Sequence, residues 1–76
     1  MTGKIIRITQ TKGYGFIKND LDGKDYFFHK DDFNGHWVDL VEDYFAKEKV
    51  IYVEFKSDKT EKGLRARKVK RTDGVN

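Results

Sequence analysis

The sequence predicts an all-β domain: one small closed barrel of five short antiparallel strands. Three observations carry this. The chain has 76 residues, the length of a single domain. Its β-branched and aromatic residues gather in short segments separated by polar or glycine-bearing turns. There is no proline, and no sustained helical period or repeat divides the chain. Short strands in so short a chain favour a closed sheet over a sandwich, because closure removes exposed edges.

KIIRI at 4–8 is the first strand, by its β-branched content. TQTKG at 9–13 supplies turn formers. YGFIK at 14–18 and DYFFH at 25–29 read as a hairpin, joined by the polar stretch NDLDG. In 34–49 the apolar positions 37, 38, 40, 41, 44 and 45 have helical spacing. That segment is either one or two turns of helix around Asp39–Phe45 or an irregular lid over the barrel. VIYVEF at 50–55 is the fourth strand and LRARKVK at 64–70 the fifth. The fifth has a phase conflict: burying Ala66 and Val69 together needs a bulge somewhere along it. Residues 1–76 form one domain, with 71–76 expected to fray.

A domain this small has marginal stability. It has no cysteine, so neither a disulfide nor a thiolate metal site can reinforce it. Its apolar runs are too short to span a membrane, and no apolar targeting segment follows Met1. The expected location is the cytoplasm. Charge is uneven along the chain. Residues 1–38 carry six Lys/Arg against five Asp, 39–49 two against four acids, and 50–76 eight against four. The local balances are +1, −2 and +4, within a total of +3. Between 59 and 71, seven cations (Lys59, Lys62, Arg65, Arg67, Lys68, Lys70 and Arg71) face one acid, Glu61. Alone, such a strip is a solvated face; beside exposed aromatics it is a phosphate-facing one.

The rings decide between these. Side chains alternate along a strand. If Ile17, Tyr26 and Phe28 are core, then Tyr14, Phe16, Phe27 and His29 all face out. The opposite phase buries an imidazole and expels Ile17 and Phe28, so the first phase is preferred. Exposed rings need a reason, and base stacking supplies one, at roughly 1–3 kcal/mol per base. Gly13 and Gly15 are read as leaving room for a base beside the rings, and Lys12 as a phosphate contact at their edge.

KGYGFI at 12–17 with DYFFH at 25–29 resembles the paired signatures of the cold-shock domain family. The likeness continues in GKI at 3–5, VEF at 53–55 and the pattern K-G-x-x-A-x-x-V at 62–69, and so covers essentially the whole chain. It implies a barrel of the oligonucleotide-binding type that takes single-stranded RNA or DNA. Family members act as RNA chaperones or in transcription regulation, so roles in handling transcripts or in stress responses are implied. The site residues it implies are Lys4, Arg7, Lys12, Tyr14, Phe16, Asp25, Phe27, His29, Lys30, Trp37 and Lys62. Of these, Tyr14, Phe16, Phe27 and His29 stack, Lys12 meets the backbone, and Asp25 bonds near a base edge. Trp37 stands in for an aromatic of the long loop.

Departures are evident. Arg7 stands where the family has tryptophan, and Lys30 where it has a third phenylalanine. The loop after the third strand is about six residues longer by the family's pattern, and Gly63–Leu64 replaces a glycine–proline pair. Arg7 can still stack its flat guanidinium; Lys30 can only add charge. The expectation is fewer stacks and a steeper salt dependence, unless Arg7 and Lys30 pair with Asp25 or Asp31 and weaken the site.

Catalysis has little support. No nucleophile accompanies His29 and Asp25, and His29 and His36 match no closed metal site. No phosphate loop is present, and no cofactor, metal or small-molecule substrate is expected. The partner is a single strand bound with weak sequence preference and tolerance for pyrimidines, by a monomer. The rival reading is a protein-interaction module that keeps the barrel and presents Trp37, Val38, Leu40, Val41, Tyr44 and Phe45.

Overall fold

Alternating apolar residues build five strands in this computed structural model, which describes residues 1–46 and 50–72. They are β1 (Thr2–Thr9), β2 (Tyr14–Asn19), β3 (Asp25–His29), β4 (Tyr52–Thr60) and β5 (Gly63–Arg71). A 3-10 turn, Lys30–Asp32, and one helix, α1 (Trp37–Ala46), lie between β3 and β4. The strands close into a barrel in the order β1-β2-β3-β5-β4. Four seams are antiparallel, and the seam between β3 and β5 is parallel, registered at Phe27 and Arg65. An odd number of strands cannot alternate direction all the way round a ring. One parallel seam is therefore obligatory, and the all-antiparallel expectation holds at the other four.

Two bulges fit the sequence to this ring. In β1, Ile5 opposes Ile17 and Arg7 opposes Phe16, leaving Ile6 as an extra residue. Ile5 and Ile8 are thus both buried, while Ile6 and Arg7 both face out. The carbonyl of Ile6 accepts a 2.9 Å hydrogen bond from the Tyr44 hydroxyl. In β5, Glu54 opposes Lys70 and Lys56 opposes Arg67, so Lys68 and Val69 share the place of one residue. Lys68 adopts φ +52°, and Ala66 and Val69 are both buried. This is the bulge that the phase conflict of the fifth strand required.

The helical alternative for 34–49 is the observed one, but α1 spans 10 residues from Trp37 and exceeds the one or two turns around Asp39–Phe45 that the spacing predicts. Trp37, Leu40, Val41 and Tyr44 fall on one face at helical spacing and close the barrel mouth, with Leu40 and Val41 buried. Asp39 lies in the first turn, where the helix dipole favours an acid. Arg71 Nη1 bonds Asp43 Oδ2 at 2.6 Å and ties α1 to β5. At the end of β5, Arg71 pairs with Val53 and the Thr72 amide donates to the Tyr52 carbonyl at 2.9 Å. Positions 73–76, where the rest of the expected frayed tail falls, lie outside the described residues. Among the described residues no helix is long and apolar enough to cross a membrane.

The hairpin between β2 and β3 carries the central side chains. Ile17 and Phe28 are fully buried and Tyr26 nearly so. Its turn is fixed by polar groups. Asn19, itself buried, accepts at Oδ1 from the Leu21 amide at 2.8 Å. Asp22 accepts from the Lys24 amide at 2.9 Å and from the Tyr26 hydroxyl at 2.9 Å. The amide of Lys24, helped by that hydroxyl, holds the Asp22 carboxyl below its ordinary range. The same bond to Asp22, with burial, pushes the Tyr26 phenol up.

These contacts give two expected outcomes. Phe28→Ala should cost about 3–5 kcal/mol, a large share of a whole stability of about 4–11 kcal/mol. Phe27→Ala should lower the thermal midpoint only slightly. Tyr26→Phe removes the donor to Asp22. A depressed carboxyl stabilises above its unfolded pKa and is lost as pH falls through the folded one; a raised phenol stabilises below its unfolded pKa and is lost above. The stability gap between wild type and Tyr26→Phe should therefore be flat from about pH 5 to 9 and narrow on both sides, given ordinary values of about 4 and 10. Denaturant titrations across pH measure it.

Candidate nucleic-acid interface

The interior phase set by Ile17, Tyr26 and Phe28 leaves the other face of the hairpin to Tyr14, Phe16, Phe27 and His29, all half-buried at the surface. Register arranges that face in rows across the sheet. Tyr14 pairs with His29, Phe16 with Phe27, and Lys18 with Asp25. On the β1 side, Thr9 adjoins Tyr14, Arg7 adjoins Phe16, and Lys4 adjoins Lys18.

Three rings form the centre. The Tyr14 and Phe27 centroids are 5.5 Å apart, Phe16 and Phe27 5.9 Å, and Tyr14 and Phe16 6.1 Å. These are ordinary aromatic contacts, so the rings hold one another upright and half-cover their own faces. His29 borders them and is fixed by the 3-10 turn. Its Nδ1 accepts from the Asp31 amide at 3.1 Å, while Asp32 Oδ2 accepts from the His29 amide at 3.0 Å. This reciprocal cap orients the imidazole. With Nδ1 occupied as acceptor, the neutral ring carries its hydrogen on Nε2, free to meet a ligand.

Cations surround the rings. Lys12 is exposed in the turn before Tyr14. The stem of Lys30 lies over Gly13, its Cδ 3.0 Å from where a β-carbon of that glycine would stand, and the Lys30 amide donates to the Gly13 carbonyl at 2.8 Å. At the Tyr14 end, where the resemblance implies a ring, Lys30 places a stem and an ammonium. Lys62 sits in the turn between β4 and β5, its amide donating to Thr60 Oγ1 at 3.2 Å. The parallel run of β3 and β5 brings that turn to the Asp25 end. Among the described residues neither Arg7 nor Lys30 makes an ion pair; Asp31 instead lies 3.4 Å from His29 Nδ1. The pairing that was to weaken the site does not occur.

Two sequence expectations are placed differently. Trp37 lies away from the ring cluster. Its indole contacts Phe28 and Phe33 edge-on, at 5.8 and 6.3 Å between centroids, and helps close the core. Gly15 does not make room for a base. It faces inward with Ile17, and a β-carbon there would lie 2.5 Å from the Arg7 carbonyl oxygen and 2.9 Å from the Phe28 ring. The absence of a side chain lets β1 and Phe28 approach, so it serves the core.

Lys18 and Arg65 also stand on this face, outside the set that the sequence reading singles out. The two-residue period of β2 was enough to put Lys18 with Tyr14 and Phe16. Arg65 adjoins Phe27 only through the parallel seam, which no local pattern reveals. Among the described residues, no group of three or more His, Asp or Glu could hold a metal ion.

Two comparisons bear on this arrangement. The family model for the 'Cold-shock' DNA-binding domain matches residues 1–72. The chain is similar to the retron Se72 cold shock-like protein of Salmonella heidelberg (strain 579083-10), 47% identical over 57 residues that span 72% of this chain and 73% of that protein.

Gly15→Ala should destabilise by about 1–3 kcal/mol through overpacking against Phe28, while the folded fraction keeps its ring cluster. Equal stability of the variant and wild type in urea would contradict the inward placement.

Proposed function

This chain belongs to the cold-shock domain family of non-catalytic nucleic-acid-binding modules, and on that premise we propose that it binds single-stranded RNA or DNA through the outer face of β1–β3. The observation that carries this is the contiguous cluster of Tyr14, Phe16 and Phe27 on the surface, bordered by His29 and by cations on several sides. Unstacked bases lie on the rings, and every base offers a π-face, so sequence preference is weak. Lys4, Arg7, Lys12, Lys18, Lys30 and Lys62 meet phosphates; Asp25, exposed at the end of β3, bonds a base edge. Duplexes hide their base faces and bind poorly.

A surface of this kind acts as a chaperone of transcripts or as a regulator of their synthesis or use, working as a cytoplasmic monomer. The protein-interaction alternative has less to stand on. Four of the six residues it needs, Trp37, Leu40, Val41 and Tyr44, face the barrel, and Val38 and Phe45 alone remain out.

Fluorescence anisotropy of a labelled thymine-rich strand tests the reading. Saturable binding is expected, with a duplex far weaker. No binding below about 0.1 mM would refute it, since even non-specific affinities reach ~10⁻⁴ M. Phe16→Ala and Phe27→Ala should each weaken binding by about 1–3 kcal/mol. The logarithm of affinity should fall steeply with the logarithm of salt, and Lys12→Ala should reduce that slope by about 0.7.

A further inference from the structure

The row of Arg7, Phe16 and Phe27 continues past β3. The parallel seam makes Arg65 of β5 the register partner of Phe27. Its guanidinium carbon lies 5.8 Å from the centre of the Phe27 ring. That distance is within cation–π reach of the ring, and the Arg65 side chain is 31% exposed.

A buried acid fixes it there. Asp32, with 8% of its side chain exposed, accepts at Oδ2 from Arg65 Nε at 3.0 Å and Nη2 at 2.9 Å. The same oxygen accepts from the His29 amide, which secures the carboxylate to the end of β3. An arginine has five N–H donors. Asp32 engages two of them, and three remain for a ligand. Arg7, at the opposite end of the row, makes no such bond among the described residues, so one guanidinium of the row is fixed and the other is not.

We propose that Arg65 is a further element of the single-strand site, oriented by Asp32 as its positioning residue. This rests on the single-strand reading above. A base that comes to Phe27 also meets the neighbouring guanidinium, and the unused N–H groups reach the adjoining phosphate. Planarity matters as well as charge, so lysine cannot replace it.

The test compares binding of a labelled oligothymidylate by wild type, Arg65→Ala, Arg65→Lys, Asp32→Asn and Lys70→Ala, the last removing a cation elsewhere on β5. Arg65→Ala should weaken binding about five- to tenfold, the low end of a stacking loss. Arg65→Lys should remain well below wild type, and Lys70→Ala should lose about twofold at most. Faster solvent exchange of the Arg65 Nε–H resonance in Asp32→Asn would report loss of the Asp32 bond, and affinity should fall with it, whereas an acid with a merely structural role would leave affinity unchanged. If Arg65→Ala unfolds because Asp32 loses its close partner and keeps only Arg67 at 3.9 Å and the His29 amide, the double variant Arg65→Ala/Asp32→Asn removes the buried charge and should bind like the single change.

Tighter binding by Arg65→Ala or Asp32→Asn would mean that the guanidinium covers Phe27, and would overturn the assignment. So would full binding by Arg65→Lys, or a loss in Lys70→Ala equal to that in Arg65→Ala. A wild type that binds and is weakened by Phe16→Ala, yet is indifferent to Arg65→Ala, overturns this inference alone. A wild type that binds no single strand overturns the parent reading and this one with it.

Discussion

Burial of Ile17 and Phe28 on one side of the β2–β3 hairpin is the constraint from which the surface follows. A strand offers two faces at a period of two. Once these side chains fill the interior, Tyr14, Phe16, Phe27 and His29 have nowhere to go but out. Gly15 strengthens the same constraint. Phe28 occupies the space that any side chain there would need, so core packing and the exposure of the rings are set by one contact. A one-residue slip in this hairpin would lose both together.

The two bulges extend that logic to the barrel's flanks. Ile5 and Ile8 in β1, and Ala66 and Val69 in β5, are buried pairs three residues apart. A regular strand would bury one of each pair and expose the other. The extra residue restores both to the core and sends two consecutive side chains outward. In β1 that gain is Arg7 beside Phe16; in β5 it is Arg67 and Lys68. Apolar demand inside the barrel therefore places cations outside it.

Electrostatics on this face is arranged by local anchors. The turn after β3 has the sequence His29-Lys30-Asp31-Asp32, and its caps hold the imidazole, cover Gly13 with the Lys30 stem and bury one acid beneath Arg65. Where family resemblance led to an expected ring, Lys30 supplies charge. Where it led to tryptophan, Arg7 supplies a guanidinium that needs no hydrogen-bonding partner to stay soluble. The result is a small aromatic centre with a broad cationic margin, consistent with weak, exchangeable and salt-sensitive contact with a polyanion.

The sequence by itself determined the strand segments, the phase of the hairpin and the identity of the outward rings, because these depend on alternation and turn chemistry within a few residues. It also showed that β5 needed a bulge, though not where. Only the tertiary structure decided that α1 closes the barrel and packs Trp37 against the core, since its apolar positions fit a lid or a partner surface equally well. Only closure of the ring decided that Arg65 stands next to Phe27. That neighbour comes from a parallel seam between segments 38 positions apart, and the physical reason for the seam is global: five strands in a circle must leave one pair running the same way.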